Sequence, residues 1–458
     1  MRSQSSQRKR AAQSGFREVR SNSFAHCLGL SLLVLVASSA LHADEKDPLE
    51  MTPSELLLKA EAGHSVSMCL LGVNYLDGNG VRKDRKEGLK WISKAAELGC
   101  PEAQVELGTR LLRGDGVPPN SKRAIKLFTQ AASKGSWTAH DMLSFCYEEG
   151  QGVESNPAEA ARHKKKAAEL KVVERQFLRA MGLRLSRPKK VSDEEAFRIF
   201  EKATEAGIPG AFWSFGSMYA NGEGTERDDR KALEYYRKGA DLGDEGCQLI
   251  LGYWADQGRI ESPNGLEAMH WYRLSAKQGN VMAQLQLARR LIKDQTGPHD
   301  YREAAFWFRK AAELGNAEAQ HSLATSYCNG LGVPLDNRKA VEWFRKAVDQ
   351  GYSPSECDLA VMYLKGNGVS EDPKEAKKLF ERAAMKGVAR AQLYLGRCYG
   401  DGVGTPREFV KAYMWLNLAA GSGEEDAARF LDDLESKMSP EDIAKAQRMS
   451  REWIEEHR

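Results

Sequence analysis

Residues 319–351 read AQHSLATSYCNGLGVPLDNRKAVEWFRKAVDQG, and this stretch decides the fold. Small and apolar residues recur every four positions from Ala319 to Tyr327, which is one stripe of an α-helix. A Gly-x-Gly turn beginning at Gly330 then ends that helix, because glycine adopts positive φ without a Cβ clash. A second helical pattern follows and stops at Gly351. The stretch therefore predicts one helix-turn-helix unit.

The same pattern recurs along the chain with a period of 36 residues. One alanine of the second helix keeps that spacing without insertion or deletion: Ala124, Ala160, Ala196, Ala232, Ala268, Ala304, Ala340, Ala376 and Ala412. A fixed period of this length indicates stacked units, each burying its apolar face against its neighbours. We predict an all-α solenoid of about ten 36-residue helix-turn-helix repeats with helical caps.

The first 43 residues have the architecture of a signal peptide, with a basic beginning, an apolar run over 27–37 and small residues up to Ala43. Cleavage after Ala43 or after Ala40 fits this order, and an uncleaved membrane anchor is the alternative. The whole chain has a formal charge of +3 only because this basic segment is included. The remainder lacks the basic excess that binding to phosphate backbones needs, so we predict no nucleic-acid partner.

The predicted organisation after the signal peptide has three parts. Residues 44–66 form an N-terminal capping helix, residues 67–426 form ten repeats, and residues 427–458 form C-terminal capping helices. The fourth repeat, residues 175–210, is degenerate because it lacks the Gly-x-Gly turn, and Lys171 stands before it where glycine is expected. We expect a local bend or a softer joint there.

No motif in the chain predicts chemistry. The histidines are scattered, and no metalloprotease, nucleophile-elbow or zinc-site spacing occurs. The recurring glycines lack the preceding strand and the Lys-Ser/Thr of a phosphate-binding loop. We therefore predict no catalytic residue, no metal ligand and no cofactor.

Cys69 and Cys100 are the one pair of cysteines that the repeat brings together. Cys69 begins a first helix and Cys100 follows its antiparallel partner, so the two ends meet. A disulfide is favoured in an oxidising compartment, and two free buried thiols are the alternative.

The repeat resembles the Sel-1-like repeat of the tetratricopeptide-type α-solenoids. Residues 391–404 (AQLYLGRCYGDGVG) and 336–351 (DNRKAVEWFRKAVDQG) carry the resemblance, and residues 438–453 (MSPEDIAKAQRMSREW) look like the closing helix of bacterial members. The resemblance implies a right-handed superhelix that acts as an adaptor for proteins or peptides. It implies no catalytic residues.

In related solenoids the first helix of each repeat lines the concave face. The variable stripe at offsets 3, 7 and 10 from the first alanine of that helix therefore predicts a partner-binding groove. Its candidate residues are Arg110, Arg113, Met218, Asn221, Trp254, Gln257, Arg290, Lys293, Asn329, Met362, Lys365 and Tyr394. Trp254 and Tyr394 stand out, because aromatic residues and arginine dominate binding hot spots. We predict an exported protein- or peptide-binding scaffold that contacts a membrane only through an uncleaved signal segment. A cell-wall or glycan-binding solenoid is the alternative, which aromatic residues on this stripe would favour.

Overall fold

The computed structural model describes residues 51–185, 191–208, 210–260, 266–293 and 300–457. The described ranges contain 22 α-helices and no β-strand, which confirms the all-α solenoid. The predicted signal peptide and its cleavage point near Ala43 lie outside the described residues. Within the described ranges, no helix is both long and apolar enough to cross a membrane.

The helices alternate between the first and second members of successive pairs. After α1 (Pro53–Ala62), the first helices are α2 (Ser65–Asp77), α4 (Pro101–Arg113), α6 (Trp137–Glu149), α9 (Ala211–Asn221), α11 (Glu245–Asp256), α13 (Val281–Lys293), α15 (Ala317–Asn329), α17 (Ser353–Lys365) and α19 (Ala389–Asp401). The second helices are α3 (Arg85–Glu97), α5 (Ser121–Ser133), α8 (Asp193–Glu205), α10 (Asp229–Asp241), α12 (Leu266–Lys277), α14 (Tyr301–Glu313), α16 (Asn337–Asp349), α18 (Pro373–Met385) and α20 (Phe409–Gly421). The remaining helices are the long α7 (Pro157–Leu185) and the closing helices α21 (Glu425–Glu435) and α22 (Pro440–Glu456).

A glycine in the first helix lets the two helices of a pair approach closely. A Cβ on Gly108 would lie 2.6 Å from the ring of the fully buried Phe128, and one on Gly252 would lie 2.6 Å from the ring of Tyr272. Glycine inside a helix costs about 1 kcal/mol relative to alanine, and the close aromatic contact offsets that cost. This close approach explains why a glycine recurs at this position of the first helix.

The two glycines of each Gly-x-Gly turn have different roles. Gly150 ends α6 at φ +67°, and a Cβ on it would have only ordinary neighbours, the nearest at 3.6 Å. Gly152, at φ +79°, lies against the preceding repeat, where a Cβ would come within 2.6 Å of the carbonyl oxygen of Ser121. The first glycine therefore terminates the helix, while the second lets one repeat stack on the next.

The bend or softer joint expected at the degenerate fourth repeat stays a prediction, but the structure has no turn at Lys171. The second helix of the third repeat continues without a break into the fourth, as the 29-residue helix α7. Lys171 replaces the glycine that would adopt positive φ, so nothing stops the helix there. The Lys171 ammonium lies 4.5 Å from the centre of the Trp137 ring, which holds this side chain against α6.

Several of the described helices begin at a capping side chain. Thr52 and Glu55 form a reciprocal capping box at α1, and Asp84 accepts from two backbone N–H groups of α3 at 3.0 Å. Ser439 caps α22, whose Ser450 hydroxyl donates to the Met414 carbonyl at 3.2 Å. The closing helix therefore packs back on the last repeat.

The chain divides into two compact units, and the boundary between them along the sequence falls within α13. The first extends to Gln284 and the second runs from Leu285 onwards. In the first unit, the segment after α1 contacts the beginning of the seventh repeat, because the Gln284 amide donates to the Ala62 carbonyl at 3.4 Å. A Cβ on Gly63 would lie 2.8 Å from the Lys277 carbonyl oxygen. The first unit therefore closes on itself.

Candidate functional site

The predicted groove stripe divides into exposed, half-buried and buried positions. All the candidate residues at offset 10 are exposed: Arg113, Asn221, Gln257, Lys293, Asn329 and Lys365. Arg110, Arg290 and Tyr394 are half-buried, whereas Met218, Trp254 and Met362 are buried. Offset 7 is therefore not a general contact position for a partner.

Met218, Trp254 and Met362 are buried because offset 7 faces neighbouring parts of the solenoid. Trp254 is 6% exposed, with its ring edge-on to Tyr236 at 5.3 Å and the guanidinium of Arg259 at 3.8 Å from its centre. The sulfur of Met362 contacts the Cys328 thiol of the preceding first helix at 3.9 Å. The assignment of these three residues to a solvent-facing groove is wrong.

Arg110 also contacts its own helix and turn and does not face an open surface. Its guanidinium binds Glu106 at 2.6 Å and Asp115 at 2.6 Å, and only 14% of its side chain is exposed. An arginine with two carboxylate partners in its own helix and turn is already neutralised. We therefore do not keep Arg110 as a contact residue.

Tyr394 is the predicted groove residue with the most binding-like surroundings. The Tyr394 patch, defined as Asp358, Arg390, Tyr394, Arg397 and Phe430, lies in the second unit on α17, α19 and α21. Arg390 binds Asp358 at 3.0 Å, and the guanidinium carbons of Arg390 and Arg397 lie 5.8 and 5.9 Å from the Tyr394 ring centre. Arg397 also lies 4.7 Å from the Phe430 ring centre.

The Tyr394 patch rests on the core, so its aromatic centre is held in place. The Tyr394 ring stacks on buried Phe380 with ring centres 5.0 Å apart. Next to it, the His321 ring lies 3.9 Å from Asp358, and burial lowers the pKa of His321, so this histidine is neutral near pH 7. The patch therefore combines exposed arginine with a fixed, half-buried tyrosine.

A glutamine of the first helix links its repeat to the preceding one, a role that our sequence analysis missed. The side-chain amides of Gln104, Gln248 and Gln320 donate to carbonyls of the preceding second helix at 3.1–3.2 Å. The recurring Ala-Gln pair was the available signal. Gln350 in turn donates to the Gln320 side chain at 2.8 Å, which links the two helices of the same repeat.

Glu356 replaces this glutamine in the ninth repeat and changes the link into an ion pair. Its side chain is fully buried and binds Arg382 at 2.6 Å and Lys386 at 3.3 Å. A buried carboxylate needs such partners, because an unpaired charge away from water is very costly. Glu356 is therefore structural.

In the first unit, the turns that connect one repeat to the next gather around a cavity of about 120 Å³. This hub cavity is lined by the turns at Gly99, Gly135, Gly207 and Gly243, all with positive φ. Glu174 of α7, the helix that continues where the third repeat lacks its turn, also lines the cavity and is 7% exposed. The sequence could not predict this cavity, since it arises only where distant turns meet.

One side of the hub cavity is closed by a contact between the first and fifth repeats. The Nδ1 of His64 accepts from the Ser67 backbone N–H at 3.2 Å, which leaves the proton on Nε2. That Nε2 lies 3.9 Å from a carboxylate oxygen of Glu245. The contact therefore joins the beginning of α2 to the beginning of α11.

Two ionisable groups of the hub cavity have shifted pKa values. Burial lowers the pKa of Lys134, opposed by the charges of Cys100 and Glu102, and its ammonium donates to the Gly99 carbonyl at 2.8 Å. Burial raises the pKa of Asp244, opposed by hydrogen bonds from Cys247 and Gly246. Burial is the largest cause of both shifts.

Cys69 and Cys100 lie together as two free, buried thiols. A hydrogen bond with Cys69, followed by burial, raises the pKa of Cys100 well above its usual range, and the Cys100 thiol also donates to Glu102 at 3.1 Å. The structure therefore brings the predicted pair into contact, and the disulfide stays a prediction.

The nearest approach of two histidines, His140 and His163, has no third ligand. Their Nδ1 atoms are 2.8 Å apart, and burial lowers the pKa of His140 to about 4, so one neutral ring donates to the other. Among the described residues, no three His, Cys, Asp or Glu side chains are grouped so that they could hold a metal ion.

Helix pairs in a fixed 36-residue register, joined by glutamine links and glycine turns, define an α-solenoid of the repeat-protein class. The chain belongs to the Sel1 repeat family. Sel1 repeats match residues 65–100, 101–136, 137–172, 180–208, 214–244, 246–280, 281–316, 317–352, 353–388 and 389–424. Sel1 repeat proteins are typically non-catalytic scaffolds.

Solved structures include relatives of the same repeat type. A protective antigen present in uropathogenic Escherichia coli strains, displaying an SLR fold, is 31% identical with a TM-score of 0.56, and the match covers 87% of this chain and 85% of that one. A Sel1 repeat protein from Oxalobacter formigenes is 29% identical with a TM-score of 0.39, covering 68% and 89% of the two chains. No curated protein matches the chain.

Proposed function

We propose that this protein is an exported scaffold that binds a protein or peptide partner, with the Tyr394 patch at the centre of its contact surface. The repeat solenoid fits an adaptor role, and the patch is the single observation that carries the choice of surface. Tyrosine and arginine dominate binding hot spots, because they supply large contact areas and several hydrogen bonds. A fixed ring also loses little side-chain entropy on binding.

The charges of the patch indicate which partner chemistry it favours. Asp358 already binds Arg390, whereas Arg397 is exposed and contacts the rings of Tyr394 and Phe430. An arginine held against aromatic rings can still offer its N–H groups to a carboxylate. The expected partner segment therefore combines an acidic residue with an apolar one that covers Tyr394.

Replacing Tyr394 by alanine is expected to weaken partner binding about tenfold or more, because truncating a hot-spot residue costs about 2 kcal/mol or more. Arg397→Ala should weaken it too. The partner is recovered by crosslinking with the wild-type chain in the exporting compartment, and each variant's Kd is then measured with purified components. Phe306→Ala is the matched control, since Phe306 is also an aromatic residue in the second unit and is 51% exposed.

Equal affinities for wild type, Tyr394→Ala and Arg397→Ala would refute the patch as the contact surface. Binding of cell-wall polysaccharide that is lost in Tyr394→Ala would instead support the glycan-binding alternative. One of the two aromatic residues on the predicted stripe no longer supports that alternative, because Trp254 is buried.

Export is the second part of the proposal, and it rests on the basic, apolar and small-residue order of residues 1–43. The description of one relative as a protective antigen supports the export part of the proposal. N-terminal sequencing of exported material is expected to begin near Asp44 or Leu41. An intact Met1 terminus in soluble cytosolic protein would contradict export.

A further inference from the structure

The exposed side of the long helix α7 carries an excess of positive charge. Glu169 is the one exposed carboxylate on this helix. The exposed basic residues, here called the α7 basic face, are Arg162, Lys164, Lys165, Lys166, Lys171, Arg175 and Arg179. The next second helix, α8, begins instead with Asp193, Glu194 and Glu195. The positive excess is therefore a property of α7 and not of every second helix.

Most charges of the α7 basic face are not neutralised within the protein. Arg162 pairs with Glu159 at 2.8 Å, and Lys165 lies 4.0 Å from Glu169. Within the described ranges, no carboxylate forms an ion pair with Lys164, Arg175 or Arg179. Lys164 has only a longer-range interaction with the Asp141 carboxylate of α6. These positive charges remain available to a partner outside the chain.

The unpaired charges extend along one side of the helix. Lys164, Arg175 and Arg179 are 11 and 4 positions apart, which places them on one side of an α-helix and spreads them over about 22 Å of its axis. The opposite side packs into the core through Leu170 and Phe177, which are 1% and 0% exposed. The basic side chains therefore point away from the repeats and present an extended row of charge.

An extended row of this kind suits a surface of repeating negative charges. Long lysine and arginine side chains reach phosphate groups without a fixed geometry, and clusters of about four to eight basic residues are enough to hold a helix at an anionic lipid surface. A folded protein partner needs complementary shape as well as charge. None of the basic residues of this face lines the hub cavity, so the face does not belong to the one cavity described above.

We propose that the α7 basic face binds the surface of a membrane that contains anionic phospholipids, with its lysine and arginine side chains at the headgroup phosphates. Val172 is 56% exposed on the same side of the helix and adds a small apolar contact at the headgroup boundary. This contact is separate from the predicted signal segment and persists after its cleavage. The α7 basic face lies in the first unit and the Tyr394 patch in the second, so different variants test the two proposals.

The test is co-sedimentation of the chain from Asp44 onwards with lipid vesicles, so that the apolar run of residues 27–37 cannot contribute. Vesicles of mixed phosphatidylglycerol and phosphatidylcholine are expected to bind the protein at low salt, and vesicles of phosphatidylcholine alone are not. Binding should disappear at about 1 M salt, where the screening length falls to about 3 Å. The triple variant Lys164→Gln, Arg175→Gln, Arg179→Gln should bind about a hundredfold more weakly, because each basic residue near an anionic surface contributes about fivefold.

The matched control removes three exposed basic residues from another helix. Lys445→Gln, Arg448→Gln and Arg451→Gln together change the net charge by the same amount on α22. This second triple variant is expected to bind anionic vesicles as tightly as the wild type. Both variants should fold, because exposed substitutions usually change stability by less than about 0.5 kcal/mol each. Circular dichroism checks their helix content.

Three results would overturn the proposal. They are equal binding to the two kinds of vesicle, equal loss of affinity in the two triple variants, and binding to soluble poly-L-glutamate without binding to anionic vesicles. The last result would assign the α7 basic face to an acidic polypeptide. The comparison of the two kinds of vesicle uses the wild-type chain, so it decides the question even where a variant does not fold.

Discussion

Replacing Trp254 by alanine is expected to lower the free energy of unfolding by about 3–5 kcal/mol, as for other large aromatic side chains removed from cores. Trp254 is 6% exposed, and its ring contacts both the Tyr236 ring and the Arg259 guanidinium. Truncation would therefore leave a cavity and also remove the cation–π contact. Urea unfolding followed by circular dichroism measures the effect.

The neighbouring Tyr253 is the control that the chain offers for this experiment. It is an aromatic residue on the same helix, but it is 48% exposed. Tyr253→Ala is expected to change stability by less than about 0.5 kcal/mol, as surface substitutions usually do. Equal stabilities of the two variants would show that Trp254 is not part of the core.

The second large effect is expected at the second glycine of a Gly-x-Gly turn. Gly152→Ala should cost about 2–5 kcal/mol, because positive φ costs about 1–2 kcal/mol and overpacking about 1–3 kcal/mol more. The new Cβ would come within 2.6 Å of the Ser121 carbonyl oxygen, which belongs to the backbone of the preceding repeat and cannot rotate away.

Gly150→Ala in the same turn separates the two contributions. Gly150 also has positive φ, at +67°, but its added Cβ would meet nothing nearer than 3.6 Å. Its expected cost is therefore the backbone part alone, about 1–2 kcal/mol. Both costs are read from urea unfolding curves. A Gly152→Ala variant as stable as Gly150→Ala would contradict the stacking role of the second glycine.

The sequence alone predicted the structural features that depend on residues of a single repeat. The 36-residue register predicted the helix pairs, and the Gly-x-Gly turn predicted where the first helix of a pair ends, as at Gly330. These features depend on neighbours within one repeat, whose spacing is fixed by helix geometry.

The errors concern contacts between repeats. Offset 7 holds Arg110, Met218, Trp254 and Met362, and this variety looked like a surface stripe although the position packs against neighbouring elements. A contact between repeats accepts many long side chains, so variation there does not indicate exposure. Lys171 stands where the repeat pattern predicts a glycine turn, and the structure has a continuous helix there because lysine does not end one.

The hub cavity could not have been predicted, because small rotations between repeats accumulate before distant turns meet. The sequence of a single repeat does not indicate that His64 lies beside Glu245, or that the Gln284 amide donates to the Ala62 carbonyl. Curvature of this kind is a property of the stacked array and not of the individual helix pair.

The link between Ala62 and Gln284 has a consequence for how the first unit folds. A solenoid is normally a low-contact-order chain, in which folding begins anywhere and spreads between adjacent modules. Here two segments separated by 222 positions also share a hydrogen bond, so the terminal modules gain a partner other than their sequence neighbour. Fraying that begins at either end of this unit then disturbs the other. Its unfolding resembles the opening of a ring more than the melting of a linear array.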